Sequence, residues 1–228
     1  ACKENGCVLL GGETAEMPSM YANGEYDLAG FIVGVVDKPK VIDGKSITPG
    51  DVVLGIPSTG LQTNGYSLAR KLFFEVGGYT SDSYIDELGS TLGEALLETH
   101  ASFLPQIGPL LDETTSTDEG VRAPLIKGLV HITGGGFLEN IPRILPEGVS
   151  VEINCGTWPE LPIFGLMQRL GNVDEKEMFR TFNMGIGMIV VCAETEKASV
   201  LERLTACYEI GLITSGNKTV DIKTRHSG

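Results

Sequence analysis

Apolar and polar positions follow two rhythms along this chain. Short apolar runs recur at 7–10 (CVLL), 28–38 (LAGFIVGVVDK), 52–58 (VVLGIPS), 125–133 (LIKGLVHIT) and 185–193 (GIGMIVVCA), and each reads as a strand. VSVEINC (149–155) alternates strictly, as a strand with one buried face does, and KTVDIKT (218–224) closes the series. Between these runs the period lengthens to that of a helix. In NGYSLARKLFFEVGG (64–78) Leu68, Leu72, Phe73 and Val76 share one face, and ELPIFGLMQRLG (160–171), NVDEKEMFRTF (172–182) and EKASVLERLTACYE (196–209) read as further helices. Asn172 and Glu175 have the spacing of a capping box, and Thr195 stands as a cap for the last of these helices. The segment 90–113 is helical but interrupted by Pro105 and Pro109, which places His100 on a helix. ACKENGC (1–7) reads as the last turn of a helix stopped at Asn5-Gly6.

Strands and helices are interleaved throughout, so the fold class expected is α/β, of the α+β type, without internal repeats. Pro39, Gly44, Pro49 and Gly50 make DKPKVIDGKSITPGD (37–51) the best candidate for a domain boundary. A chain that opens on the end of a helix is expected to begin inside a domain. The division expected is therefore 1–40, the end of one domain, and 41–228, a second mixed domain.

Charge narrows the partners. With a formal net charge of −13 and no run of Lys or Arg, the chain would be repelled by a phosphate backbone or an anionic membrane. No apolar stretch reaches the ~20 residues of a membrane span, and no secretory pattern opens the chain, so a cytoplasmic protein is expected. The five cysteines show neither CxxC nor Cys/His spacing, and they read as buried or inert thiols.

Three segments deliver a strand into a small-residue turn flanked by polar groups: LLGGETAE (9–16), GIPSTGLQTNGYS (55–67) and VHITGGGFLEN (130–140). Glycine lets backbone N–H groups approach an anion without a Cβ in the way, so together they point to phosphate handling; each alone is equally a tight turn. None has Walker A or Rossmann spacing. Glu13 and Glu16 are either solvated loop acids or, for one of them, a ligand to magnesium beside phosphates. His131, at the mouth of the triple-glycine turn, is either a satisfied strand residue or a proton-transfer group. Asn183, after RTF, is either a helix cap or a functional amide. His100 and His226 are given no role.

Taken together, GGETAEMPSMY (11–21), YDLAGF (26–31), TNGYSLAR (63–70), HITGGGFLENIPR (131–143) and RTFNMGIGM (180–188) closely resemble, in order, the motifs of the phosphoribosylformylglycinamidine cyclo-ligases, the aminoimidazole ribonucleotide (AIR) synthetases. The resemblance implies ATP-dependent closure of formylglycinamidine ribonucleotide (FGAM) to AIR, with ATP and Mg2+ as cofactors. It implies an ATP and phosphate role for Gly11, Gly12, Glu13 and Thr14, with Glu13 toward the metal. It implies substrate contacts at Thr63, Asn64, Thr133, Gly134, Gly135 and Gly136, and catalytic roles for His131 and Asn183. It also implies that 1–40 is the remnant of an ATP-binding, β-rich, dimer-forming domain, with the homodimer and the activity belonging to a longer parent.

Two departures from the family pattern stand out. Gln62 occupies a position commonly held by His, and Ala101 and Phe103 stand where a basic residue and a Tyr are usual. Two other readings remain open: a related small-molecule kinase, and a non-catalytic module whose exposed sheet edges pack on partners. Substitution of Gly135 by Ala is expected to damage ligand binding with little loss of fold.

Overall fold

The computed structural model describes residues 1–116 and 122–223 and divides the chain into two units, Ala1–Val41 and Ile42–Gly228. His226 lies outside the described residues.

In the first unit a turn over residues 1–7 closes with Asn5 N donating to Ala1 O (3.0 Å) and Cys7 N to Cys2 O (2.8 Å), with Gly6 left-handed. This matches the helix-end reading. The strands expected at 7–10 and 28–38 are not formed; the unit carries turns and one short 3-10 helix, Lys38–Lys40. A strand satisfies its backbone only through neighbours. Here Leu10, Phe31 and Val35 are 90%, 98% and 99% exposed, so their apolar pattern has no packed surface to act on.

The second unit begins with β1 (Val52–Pro57), followed by α1 (Tyr66–Arg70), which runs into a π-helical turn, Lys71–Val76. A hairpin of β2 (Tyr84–Ile85) and β3 (Ser90–Thr91) leads to α2 (Leu92–Leu96) and α3 (Leu104–Ile107). A second hairpin, β4 (Thr114–Ser116) with β5 (Arg122–Pro124), precedes β6 (Gly128–His131) and α4 (Gly136–Asn140). Then come β7 (Val149–Asn154), α5 (Pro162–Gly171), α6 (Glu175–Thr181), β8 (Ile186–Cys192), α7 (Lys197–Arg203), β9 (Tyr208–Ser215) and β10 (Val220–Lys223). The main sheet has the order β10-β7-β9-β1-β8-β6, parallel only between β10 and β7. The expected α/β class, with a mixed sheet, is what the chain forms.

Strand alternation divides the core between the two faces of this sheet. Val53, Val130, Ile189 and Val191 point to one face, where Phe73, Leu92, Phe137, Phe164 and Phe179 from the helices cover them. Val52, Leu54, Ile56, Val190 and Cys192 point to the other, beneath Phe103, Ile107, Leu110 and Val200. Removing this apolar surface from water is the main force holding the layers together.

Helix ends differ from expectation in three places. Asn172 is the left-handed C-cap of α5, and Asp174 caps α6 by accepting from Lys176 N at 2.9 Å, so there is no Asn172–Glu175 box. Thr195 lies inside a 3-10 turn (Glu194–Glu196), not at a cap, because the chain tightens before α7 begins. The stretch between α2 and α3, His100 included, is not helical: the true capping box, Thr91 with Glu94, starts a short helix, and Pro105 opens the next. Among the described residues, no helix is long and apolar enough to cross a membrane.

Candidate active site

The sheet register gathers three of the sequence motifs at one end. β8 is antiparallel to both β1 and β6, with Pro57 opposite Ile186 and His131 opposite Met188. The end of β1, the end of β6 and the start of β8 therefore lie side by side. The loops leaving them carry Thr63 and Asn64, Thr133–Gly136, and Asn183.

Asn183 ties these loops together. It is 4% exposed, and its Oδ1 accepts from Ser58 Oγ (2.8 Å) and Gly185 N (2.8 Å). Its Nδ2 donates to Gly60 O (2.9 Å) and Leu61 O (3.2 Å). All the hydrogen-bonding capacity of the amide is thus used inside the protein, holding the loop that leads to Thr63. The geometry is that of a clamp, neither a helix cap nor a group open to a ligand; Phe182, in extended conformation, ends α6.

The triple-glycine turn has its own clamp, which the sequence did not reveal. Asn140 is 3% exposed and donates through Nδ2 to Gly136 O (2.7 Å) and Gly134 O (3.1 Å), while Thr133 Oγ1 donates to Asn140 Oδ1 (2.9 Å). With these carbonyls held on the inner side, the N–H groups of Gly134 and Gly135 make no hydrogen bond to another described residue. The three glycines are not equivalent. Gly136 is left-handed, and a Cβ there would lie 2.0 Å from Phe179 O. Gly135, also left-handed, would drive a Cβ to 2.6 Å from the Glu139 Cβ. The expectation that Gly135→Ala spares the fold therefore fails on backbone conformation and on space. Gly134 alone faces open room, where a Cβ would meet only Asn64 Oδ1, at 3.6 Å. The loops after β1 and β6 thus face each other across Gly134.

His131 ends the edge strand β6. Its neighbours Val130 and Ile132 are buried in the larger core, so alternation turns the imidazole to the opposite face, where it is exposed. There its ring lies against Phe103 (centroids 5.9 Å apart) and against His100 (5.2 Å). Partial desolvation by its packed neighbours, and then the charge of His100, hold its pKa below the ordinary histidine value.

Gly11, Gly12, Glu13 and Thr14 lie exposed in the first unit. A Cβ on Gly11 or Gly12 would meet nothing within 4 Å, so packing does not demand glycine at either position. Among the described residues no group of three or more His, Cys, Asp or Glu side chains can hold a metal ion. The thiols of Cys192 and Cys207 are pushed up to about 12, chiefly by burial, and are inert at neutral pH. Of the two alternatives expected for the cysteines, buried or inert, burial does not apply to Cys2, which is exposed.

Residues 48–223 match the family described as AIR synthase related protein, C-terminal domain. The chain is 48% identical over 219 residues to a phosphoribosylformylglycinamidine cyclo-ligase of Bifidobacterium longum, covering 94% of this chain and 61% of that protein. It is 49% identical over 223 residues to the protein of that name from Alkaliphilus metalliredigens, covering 96% and 61%. The chain thus spans about three-fifths of the length of these curated relatives. Among solved structures, the hydrogenase maturation protein HypE in complex with ATP has the same fold, with a TM-score of 0.53 at 17% identity over 84% of this chain and 52% of that one. With its motifs, its fold and most of its length in agreement, the chain belongs to the AIR synthase related family.

Proposed function

We propose that this protein is part of an enzyme that closes the imidazole ring of AIR from FGAM, with ATP as phosphoryl donor. The observation that carries the reading is the identity of nearly half of all residues to cyclo-ligases of that name along almost the whole chain. The site supports it by its chemistry. Ring closure needs positioning of a flexible substrate and removal of a proton, with little covalent work by the protein.

In this reading the free N–H groups of Gly134 and Gly135 receive an oxyanion of the ribonucleotide, and Thr63 and Asn64 orient it from the facing loop. His131 takes the proton released as the cyclising nitrogen bonds to the formyl carbon. Asn183 acts at one remove, as the clamp on the 58–64 loop. Gly11, Gly12, Glu13 and Thr14 serve the ATP phosphates, and residues 1–40 belong to a dimer-forming ATP domain in the intact protein. Glu13 offers one carboxylate to a magnesium ion held by the nucleotide phosphates, and no step here passes through the metal.

The test is a coupled assay of the intact protein that follows ADP release and AIR formation together. FGAM-dependent production of both is expected. ADP release that ignores FGAM but responds to another phosphoryl acceptor would replace this reading with that of a small-molecule kinase of the same fold.

A further inference from the structure

The sequence pattern gives His100 no function, yet the fold places it against His131. The stretch between α2 and α3 brings His100 Nε2 to 3.2 Å from His131 Nε2, a hydrogen-bonding distance that requires one of the two nitrogens to carry the proton. On the far side of the His100 ring, Nδ1 lies 3.5 Å from Thr63 Oγ1. Both rings stand edge-on to Phe103, which is itself 6% exposed and fixes them from below. Thr63, His100 and His131 thus form one chain of polar groups across the mouth of the site.

A second observation marks this place as organised for a ligand. Gln62, next to Thr63, is 3% exposed, has a left-handed backbone (φ 58°), and neither its Oε1 nor its Nε2 has a partner among the described residues. Its amide and the Phe103 ring share the space over Gly187, where an added Cβ would meet them at 2.8 Å and 2.4 Å. A buried amide open at both ends, on a backbone that disfavours a side chain, is a costly arrangement for packing alone.

We propose that His100 and His131 work as one proton-handling unit, with His131 as the group that meets the substrate and His100 as its positioning residue. The arrangement has a direction. His131 Nε2–H donates to His100 Nε2, His100 Nδ1–H donates to Thr63 Oγ1, and His131 Nδ1 is left with a free lone pair. As the substrate's C–N bond forms, that lone pair accepts the N–H proton. The C–O bond of the formyl group, whose oxygen has taken the phosphoryl group from ATP, breaks, and its electron pair leaves with that oxygen as inorganic phosphate. The resulting imidazolium on His131 is held by the neutral His100 behind it. This step rests on the ring-closure reading above.

The surroundings favour keeping that lone pair available. Burial depresses the pKa of both rings, and His100 depresses His131 further, so the pair stays neutral until the solution is more acidic than an isolated histidine requires. Of the nearby carboxylates, Glu98 stands beside Gly60 and Glu139 beside Gly135, and neither is among the causes acting on either ring.

The test uses the intact protein with His100→Gln and His100→Ala. Gln keeps an acceptor for His131 Nε2–H but cannot carry charge; Ala removes both. Nitrogen-15 spectra of the imidazoles are expected to show His131 protonated on Nε2 and free on Nδ1 in the native protein. In His100→Gln the His131 titration and the acid limb of kcat should move together to higher pH. In His100→Ala kcat should fall on the order of tenfold or more, with KM for FGAM little changed, and Gln should recover most of the loss. An Nδ1-protonated His131, or a titration and pH profile identical in native and His100→Gln protein, overturns the pairing. The spectra need no turnover. Absence of cyclo-ligase activity would therefore sink the ring-closure reading while the tautomer still decides the pair.

Discussion

Removing the Asn183 side chain should destabilise the fold before it touches any chemistry. Asn183→Ala strands four groups at once: the Ser58 hydroxyl, the Gly185 N–H and the carbonyls of Gly60 and Leu61. Each lost bond is worth about 1 kcal/mol net, giving about 4 kcal/mol if nothing relaxes and about 3 if the Ser58 hydroxyl finds another partner. Against a typical domain stability of ~5–15 kcal/mol that is a large fraction. Asn183→Asp makes a sharper case. It keeps the acceptor for Ser58 and Gly185 but turns an oxygen toward two carbonyls, which disfavours the charged form in the folded state and raises the carboxyl pKa above its unfolded value of ~3.9. A raised folded pKa means the variant is most stable below that unfolded value and loses stability as the pH rises through the folded one. The single tryptophan provides the assay, since Trp158 Nε1 donates to Met184 O (2.9 Å), the residue after Asn183. Urea unfolding followed by tryptophan fluorescence should show Asn183→Ala losing about 3 kcal/mol. The deficit of Asn183→Asp should shrink on going from neutral to mildly acidic pH. A loss under about 1 kcal/mol for the Ala variant, or a pH-independent deficit for the Asp variant, would refute the clamp.

The three glycines of the turn should separate by experiment. Gly134→Ala should keep the native melting temperature and raise KM for FGAM, whereas Gly136→Ala, with its Cβ 2.0 Å from Phe179 O, should fail to fold; equal melting temperatures for the two would show that the turn is not held as described. Asp51 is 4% exposed and pairs with Lys127 (2.6 Å) while accepting from Thr48 N (2.7 Å). Asp51→Ala leaves a largely buried cation unpaired and should lower unfolding stability by about 3 kcal/mol in urea; a change below about 1 would place that lysine in water instead. Glu13→Gln in the intact protein should raise KM for magnesium-ATP more than for FGAM, and an unchanged dependence on both removes Glu13 from the nucleotide site.

What the sequence revealed and what it hid have different physical causes. The buried strands were readable because a run such as VVLGIP in β1 must be covered on both faces, and this holds wherever the partners come from. In the first unit the same inference failed, because an apolar pattern states what a segment requires and does not supply it; residues 7–10 and 28–38 have no strand beside them. Helix caps were misplaced by one or two residues where more than one polar side chain stood near the start, as at Asn172 and Asp174, since capping is decided by backbone conformation.

The candidate site divides along the same line. Glycine turns are local, so Thr133–Gly136 could be named from sequence; that the fold itself demands glycine at Gly136 depends on Phe179, which comes from a remote segment. The face taken by His131 followed from strand register, a non-local property. His100 had no local signal at all. Its neighbours Ala101 and Phe103 stand out only as departures from the family pattern, its segment reads as an interrupted helix, and its meaning comes from a residue 31 positions away. Groups that act through one another are placed by the sheet, and the sheet is assembled from segments that are remote in sequence. A site whose chemistry depends on a pair is therefore legible only after the register is known. A variant survey restricted to the residues to which the sequence assigns a role would miss His100, Gln62 and Asn140 alike.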